Sequence, residues 1–400
     1  MISYIKSKIA VLKNPTTAKL EPNFVHLEKT VLRVMGVSMF DDKKGIAILS
    51  PMLFMAYAMG ITAFVFGLHE FLTVSTGLAN TMQSAFIFFA SINLMSMWFF
   101  LLKKYQVFKD VVKRVIIMSK ITDETPKERP VGLKSRRFAN FMQAALMIIY
   151  FMSPFTYNIH MLITWLFTGQ RGLPVHIPII GVPFDTIPGY MINLVWIWIL
   201  MVFALGSFLS HDLSLFMTIA GIVGRFEVIK ETYISKIGEK SSEYKTEAAQ
   251  YELLKKIVRE LNYIYDVIID INEIYSSGLF SNFILGSLIL CAGYTQLLME
   301  PSGNALCIIP IYTLQLYFYS FFGELLVQKH FQVSTALYCS HWYNLKNTPS
   351  RTMFCFMLMR SQRPVGLQVG GFGILKAELF TAVNNKVYGV VTFVFNCLLD

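Results

Sequence analysis

The chain has 400 residues, of which 54% are hydrophobic and only 15% are charged, and its formal net charge is +10. So apolar a composition excludes an ordinary soluble domain and indicates that a lipid bilayer is the solvent. The excess positive charge is expected to face anionic lipid at the cytoplasmic surface rather than nucleic acid.

Charge-poor windows predict the membrane-spanning helices, because crossing about 30 Å of hydrocarbon takes about 20 helical residues. Six such windows are evident, and a shorter seventh ends the chain. The seven predicted spans are 45–68, a span within 71–102, 138–170, 186–211, 274–299, 301–323 and 384–399. The last covers only about 24 Å at 1.5 Å per residue. So short a helix is expected inside a protein shell rather than against lipid.

Basic residues are distributed unequally between these spans. Residues 1–44 carry eight Lys or Arg and residues 103–137 carry eleven, whereas the connections on the other side hold Arg171 alone. Because short basic loops stay in the cytoplasm, the N-terminus is predicted inside and, after seven spans, the C-terminus outside. The predicted fold is therefore an all-α membrane protein with seven transmembrane helices. A G-protein-coupled receptor would need the opposite orientation.

Between the spans, several helices are expected to continue into the cytoplasm. The predicted order is 1–44, a cytoplasmic segment; 45–210, spans one to four; 211–273, cytoplasmic helices; 274–323, spans five and six; 324–383, cytoplasmic anchor helices; and 384–400, the last span. A coiled-coil-like seam with spacings of three and four precedes span five. Its residues are Leu254, Ile257, Leu261, Ile264, Ile268 and Ile271. The pattern leaves open whether the partner surface belongs to the same chain or to another subunit.

Motifs that carry chemistry are sparse. The seven His residues form no His-x-x-x-His pair, the five Cys residues have no ligand-like spacing, and there is no phosphate loop or nucleophile elbow. No catalytic residue, metal site or cofactor is therefore expected, and the chain is not predicted to be an enzyme. Ionisable residues are nearly absent from the spans, which argues against ion-coupled transport.

Aromatic and small polar side chains form two stripes inside the predicted spans. They are Tyr150, Ser153, Tyr157 and His160 in span three, and Tyr312, Gln315 and Tyr319 in span six. Such stripes either pack helices together or line an apolar cavity with a few polar anchors, which is the usual character of a small-molecule site. Apart from Ser153, these residues are predicted to bind a ligand, together with Met82 and Phe86 of span two and Tyr190.

Stretches of the C-terminal half carry a family resemblance. Residues 322–343 read FGELLVQKHFQVSTALYCSHWY, with a Gly-Glu pair at the exit of span six and an aromatic Ser-x-Trp-Tyr ending. Residues 360–364 (RSQRP) and 371–380 (GFGILKAELF) approach the last span, and 210–216 (SHDLSLF) ends span four. Together with 262–291, these stretches resemble an insect odorant receptor; the first half agrees mainly in the layout of its spans.

The resemblance implies an odorant-gated, non-selective cation channel, in which four subunits surround a pore lined by the last helix. The odorant would bind within the outer half of spans two, three, four and six. This chain resembles a tuning subunit because the segment before span five, 231–248, is short. Its implied partners are the shared co-receptor, in a heterotetramer, and a small volatile molecule. The implied location is the plasma membrane of the olfactory neuron dendrite, as a multi-pass protein.

The last span departs from the family's usual ending, since 387–396 reads VYGVVTFVFN. Within it, Val391 and Phe395 fall on one helical face, with Val394 beside them and Asn396 one position on. These four are predicted to form the pore and its gate, an apolar constriction that stops ions by dewetting. The alternative is that this face packs against neighbouring spans. Other identities left open are a gustatory receptor channel of the same superfamily and a G-protein-coupled receptor.

Overall fold

A computed structural model describes residues 51–73, 78–168, 179, 181–182, 186–239, 244–299 and 303–399. Within these ranges the chain is almost entirely helical, and the predicted N-terminal segment 1–44 lies outside them. The α-helices of the described ranges are α1 (Pro51–Thr73), α2 (Leu78–Lys103), α3 (Tyr105–Glu124), α4 (Arg129–Thr168), α5 (Ile187–Val228), α6 (Glu247–Met299), α7 (Gly303–Cys339), α8 (Thr348–Ser361) and α9 (Ala377–Leu399).

Seven of these helices correspond to the predicted spans, namely α1, α2, α4, α5, α6, α7 and α9. Helix α6 has 53 residues and α7 has 37, so each is long enough to form both a span and its predicted cytoplasmic extension as one continuous helix. Judged by length and hydropathy alone, three stretches of the described chain are long and apolar enough to cross a membrane: Thr81–Lys103, Ile187–Lys236 and Glu247–Met299.

A broad apolar surface on α4 and α5 fits contact with lipid. Phe155, Ile159 and Leu162 of α4 are exposed, as are Ile192 and Val195 of α5. Soluble monomers rarely expose contiguous apolar patches of this kind. In a bilayer the same side chains contact acyl chains, so their exposure costs nothing.

The coiled-coil-like seam of α6 is a packing surface within this chain. Its residues, Leu254, Ile257, Leu261, Ile264, Ile268 and Ile271, are all at most 2% exposed. Helix α6 packs on α2, α3, α7 and α9, so its partner surface is supplied without a second subunit. Of the two alternatives left open by the sequence, the intramolecular one is correct.

A short hairpin, residues 366–375, leads from α8 into α9 and contains an antiparallel bridge between Gln368 and Ile374. Asn272 of α6 clamps it. Its amide donates to the Gly366 carbonyl at 3.0 Å and its carbonyl accepts from Gln368 N at 2.8 Å. The backbone just before the last helix is therefore tied to α6.

Gly323 lets α7 approach the same hairpin. A Cβ at this position would lie 2.6 Å from Cγ of Leu375 and 2.7 Å from its carbonyl oxygen, so a larger residue does not fit without a shift. The next residue, Glu324, accepts the backbone N–H of Ala377 at 3.4 Å. Since Ala377 is the first residue of α9, the Gly-Glu pair of α7 helps fix where the last helix begins.

Candidate ligand-binding site and pore helix

A buried carboxylate lies where the predicted fourth span ends. Asp212 of α5 has no solvent exposure. It accepts from the Tyr150 hydroxyl of α4 at 2.5 Å and from Gln315 Nε2 of α7 at 3.1 Å, and it also accepts from the Tyr319 hydroxyl of α7. We refer to Asp212, Tyr150, Gln315 and Tyr319 as the Asp212 hub. It joins three helices through one carboxylate.

The Asp212 hub gives three of the predicted ligand-binding residues another role. Tyr150, Gln315 and Tyr319 are at most 4% exposed, and their polar groups are bonded to the same carboxylate. A buried charge is tolerated only when it is well hydrogen-bonded, so these donors stabilise Asp212. Their first role in the structure is to hold α4, α5 and α7 together.

Sequence reasoning missed Asp212 because the uncharged window ended at His211. Helix α5 continues without a break to Val228, and the residues around Asp212 are buried. The available signal was a single acidic residue in a stretch, 186–224, that otherwise holds no Lys, Arg, Asp or Glu; it lies in the sequence SHDLSLF at 210–216. Asp212 lies one residue beyond the predicted span 186–211, so the expectation that the spans are nearly free of ionisable groups stays a prediction.

Helix α6 joins the bundle next to the hub. The Ser214 hydroxyl and the Tyr275 hydroxyl are 2.9 Å apart, and either can donate. The Tyr275 ring also lies edge-on to the His211 ring, with centroids 5.4 Å apart. Residues on both sides of Asp212 thus connect α5 to α6.

One turn along α7 from Gln315, towards the end predicted to face outside, three aromatic rings meet. The Tyr312 ring contacts Phe86 of α2 at a centroid distance of 6.3 Å and an angle of 86°. It contacts Phe208 of α5 at 6.2 Å and 81°. Edge-to-face contacts of this kind are favourable. We call Phe86, Phe208 and Tyr312 the aromatic cluster. Phe208, which lies one turn before Asp212 on α5, was not among the residues predicted from the sequence.

Of the other predicted ligand-binding residues whose side chains the structure describes, Met82 is near this cluster and Tyr190 is not. Met82 lies on α2 one turn from Phe86 and is partly buried against the core. Tyr190 stands in the first turn of α5 and, at 1.5 Å per residue, is about 27 Å along the helix from Phe208. Tyr157 and His160 lie on α4, but their side chains are outside the described part of the structure.

The predicted gate residues of α9 differ in exposure. Val391 is 7% exposed and packs within its own chain, Val394 and Phe395 are half-buried, and Asn396 is exposed. Helix α9 packs on α6 and α7. Val391 therefore fits the alternative interpretation, in which this face packs against neighbouring helices. Of the four predicted residues, only Asn396 lies on the open face.

The open face of α9 carries other large side chains. Tyr388 is 74% exposed and Phe393 is 68% exposed. Asn396 and Cys397 are also exposed, and together these four side chains form a surface that the described part of the chain does not cover. This face is available to another subunit or to a pore.

Together these features define the class of protein: a helical membrane protein with a buried aromatic cluster inside the bundle and a last helix open on one side. The family model for the 7tm odorant receptor matches residues 77–388. The chain belongs to this family, so the resemblance to odorant receptors is confirmed. The family match favours an odorant receptor over a gustatory receptor, a G-protein-coupled receptor or an enzyme.

Solved structures agree with this assignment. The insect olfactory receptor OR5 from Machilis hrabei in complex with eugenol superposes with a TM-score of 0.76 at 11% identity, over 94% of this chain and 98% of that chain. Another structure of OR5 gives a TM-score of 0.74 at 13% identity, over 93% and 99%. At these identities the likeness establishes the fold, and the predicted bundle of seven transmembrane helices is confirmed. The orientation of the termini stays a prediction.

Proposed function

We propose that this chain is a tuning subunit of an odorant-gated, non-selective cation channel and that it works with a co-receptor in the plasma membrane of olfactory neurons. A small, mostly apolar volatile molecule binds at the aromatic cluster, and its binding opens a pore along α9. The observation that carries the proposal is that the aromatic cluster and the Asp212 hub are adjacent on the same two helices, α5 and α7. OR5, which shares this fold, has been solved with eugenol.

The aromatic cluster suits an apolar ligand. Phe86, Phe208 and Tyr312 are each at most 8% exposed, so a ligand among them is removed from water and gains dispersion contacts. Met82, one turn from Phe86, adds a flexible side chain that adapts to the shape of a ligand. In this proposal the Asp212 hub supports the site on the side predicted to face the cytoplasm, and Tyr157 and His160 stay predicted ligand contacts. Tyr190, about 27 Å from Phe208 along α5, is too far away to contact the same small molecule.

Helix α7 provides a route from the ligand to the pore helix. Tyr312 and Glu324 lie on the same continuous helix, about 18 Å apart at 1.5 Å per residue. A ligand that moves Tyr312 therefore moves a helix whose Gly323 and Glu324 contact the hairpin and the start of α9. The ligand opens the channel only if it binds the open arrangement more tightly than the closed one.

We place the pore-lining face of α9 at Phe393 and Asn396, with Val394 and Phe395 at its border. The exposure of Phe393 supports this choice, whereas the burial of Val391 within its own chain does not favour a role for it in the pore. Large apolar side chains from several subunits around a common axis would form a constriction that excludes water and ions when closed. The polar Asn396 would lie next to that constriction.

The cytoplasmic end carries a surface suited to contact between subunits. An open groove of about 650 Å³ lies between α6 and α8, lined mainly by apolar side chains, with Arg360 at its edge. Phe356 and Met359 of α8 stand 66% and 61% exposed beside it. Exposed apolar side chains outside the membrane are typical of protein–protein contacts, which supports assembly with the co-receptor here.

The proposal is tested by recording currents from cells that express this chain with and without the co-receptor. A panel of volatile esters, alcohols and aromatics is applied, and we expect currents only in cells that express both.

Tyr312→Ala should raise the half-maximal concentration of the active ligands, by about tenfold for a contact worth about 1.4 kcal/mol. The matched control is Tyr338→Ala, since Tyr338 is an exposed tyrosine at the cytoplasmic end of the same helix. Unchanged responses in Tyr312→Ala at normal current would place the ligand elsewhere, and no response to any volatile would overturn the proposed function.

A further inference from the structure

A pair of asparagines joins α2 to α6 inside the bundle. The Asn93 amide donates to Oδ1 of Asn282 at 2.6 Å, and neither side chain has any solvent exposure. Single asparagines are costly in the interior of a membrane protein and usually mark a specific contact. These two are 189 positions apart in the sequence.

The pair leaves one acceptor and one donor without a partner. Asn93 Oδ1 and Asn282 Nδ2 are both buried and make no hydrogen bond. The orientation of an asparagine amide is an assignment, but turning both amides merely exchanges the roles of the two residues. In either orientation one amide oxygen and one NH2 group stay unsatisfied, and a buried group in that condition favours any ligand that can bond to it.

Holding the two helices together does not account for this arrangement. Three residues along α2 and one residue along α6, the hydroxyls of Ser96 and Ser281 already join the same helices at 2.8 Å, and the Ser96 hydroxyl also donates to the backbone carbonyl of Asn93. That neighbouring contact needs no partially satisfied amide. A pair selected only for helix packing would be expected to use its polar atoms or to be replaced by apolar residues.

The pair is next to the aromatic cluster. Asn93 lies seven residues, about two turns, from Phe86 on the same face of α2. Its side chain is also near enough to the Tyr312 hydroxyl to interact with it electrostatically. A ligand that contacts the rings of Phe86 and Tyr312 therefore has the unsatisfied amide groups within reach at one end.

We propose that Asn93 and Asn282 recognise a hydroxyl group on the ligand, so that this receptor selects alcohols or phenols among apolar volatiles. A hydroxyl carries one donor for the free carbonyl oxygen and lone pairs for the free N–H group. An ether, ester or ketone offers only lone pairs, and a hydrocarbon offers neither. The inference rests on the proposed function, because it assigns the ligand class of that same site.

The test compares pairs of isomers that differ only in where the oxygen sits. Octanol is compared with heptyl methyl ether, and phenylethanol with benzyl methyl ether, in cells that express this chain with the co-receptor. We expect each alcohol to activate at a concentration about tenfold lower than its ether, the equivalent of about 1.4 kcal/mol. In the double variant Asn93→Leu, Asn282→Leu this ratio should fall to about one. Replacing both partners by apolar groups of similar shape leaves no new unpaired group.

Two further variants separate recognition from structure. Ser96→Ala removes the neighbouring polar contact between the same helices and should leave the alcohol-to-ether ratio unchanged. Asn93→Gln keeps the amide but displaces it by one methylene, and should reduce the ratio without abolishing the response to ethers. If the double variant carries no current, the ratio is measured instead from the ligand-induced shift in melting temperature of the purified protein.

The outcomes distinguish this inference from the function it rests on. Equal activation by alcohols and ethers, or a ratio that survives in the double variant, would overturn the inference while leaving the receptor a channel for volatiles. Responses restricted to molecules without a hydroxyl would do the same. A channel that responds to no volatile of either kind would overturn the proposed function itself.

Discussion

The Tyr150 hydroxyl of α4 donates a 2.5 Å hydrogen bond to the carboxylate of Asp212 on α5. The same carboxylate accepts from two residues of α7, so α4, α5 and α7 meet at one side chain, and two of these helices, α5 and α7, also carry the aromatic cluster. Because a buried carboxylate tolerates few alternative arrangements, the position of α7 relative to α4 and α5 is well defined directly below the proposed ligand. Any movement of α7 on ligand binding has to preserve or exchange these hydrogen bonds.

Replacing Asp212 by Leu should strongly destabilise the protein, because it leaves the buried hydroxyls of Tyr150 and Tyr319 and the Gln315 amide without an acceptor. We expect a loss of at least about 3 kcal/mol. Tyr150→Phe removes only one donor and should cost about 1.5–3 kcal/mol. Thermal unfolding of the purified protein in detergent measures both. Equal stability of the two variants would contradict the view that the carboxylate organises the hub.

The contact between Gly323 and the hairpin predicts a defect at the pore helix. Gly323→Ala places a methyl group 2.6 Å from Leu375 Cγ, and overpacking of this kind costs about 1–3 kcal/mol. The start of α9 should shift, so the maximal ligand-evoked current should fall while the ligand affinity stays the same. Gly371→Ala is the control, since an added Cβ there meets nothing within 4 Å. A current equal to that of the control would show that this contact does not position α9.

Much of the architecture follows from the sequence alone, because a bilayer requires long uncharged helices and the chain supplies them at the predicted places. Contacts across helices do not follow. The windows that predicted span four ended at His211, so Asp212 was excluded although the helix continues. The pairing of Asn93 with Asn282 depends on how two distant helices are rotated, which no local pattern specifies. On α9, Val391 is buried and Phe393 is exposed although they are only two residues apart, so the pore-facing side depends on how the helix is rotated in the bundle.

The orientation of the chain rests on the distribution of basic residues, and it has a direct test. An epitope tag after Asp400 should be labelled in unpermeabilised cells, because the C-terminus is predicted outside. A tag before Met1 should be labelled only after permeabilisation. The reverse pattern would contradict both the orientation and the placement of α8 in the cytoplasm.

A buried histidine is predicted to make the packing of α5, α6 and α7 sensitive to acid. His330 of α7 has no exposure and lies against the rings of Phe226 and Tyr265. Burial, and secondly the positive charge of Arg360, lowers its pKa from 6.5 to about 4. In the unfolded chain the histidine takes up a proton below about pH 6.5, whereas the folded chain does not until about pH 4. Stability should therefore fall as the pH falls through this window, and be unaffected by this residue above it.

The measurement is the melting temperature of the purified protein across that pH window. His330→Phe replaces the ring by one that cannot be protonated and should remove part of the acid sensitivity. His341→Phe is the control, because His341 is exposed and its replacement should leave the acid sensitivity as in the unsubstituted protein. If His330→Phe and His341→Phe respond to acid alike, His330 does not determine the pH dependence.

Two positions of α9 that are two residues apart should respond differently to the same substitution. Phe393→Ser changes a side chain that is 68% exposed, whereas Val391→Ser changes one that is 7% exposed and packed within the chain. If Phe393 contributes to the closed constriction, a small polar residue admits water, and the current without ligand should rise or the relative permeability to cations should change. Val391→Ser should instead lower the stability by about 1–3 kcal/mol, because it buries a hydroxyl in an apolar contact.

Both variants are measured in cells that express the co-receptor, by basal current, ion selectivity and accessibility to a cysteine reagent after Phe393→Cys or Val391→Cys. A rise in basal current in Val391→Ser alone would return the pore-lining face to the one predicted from the sequence.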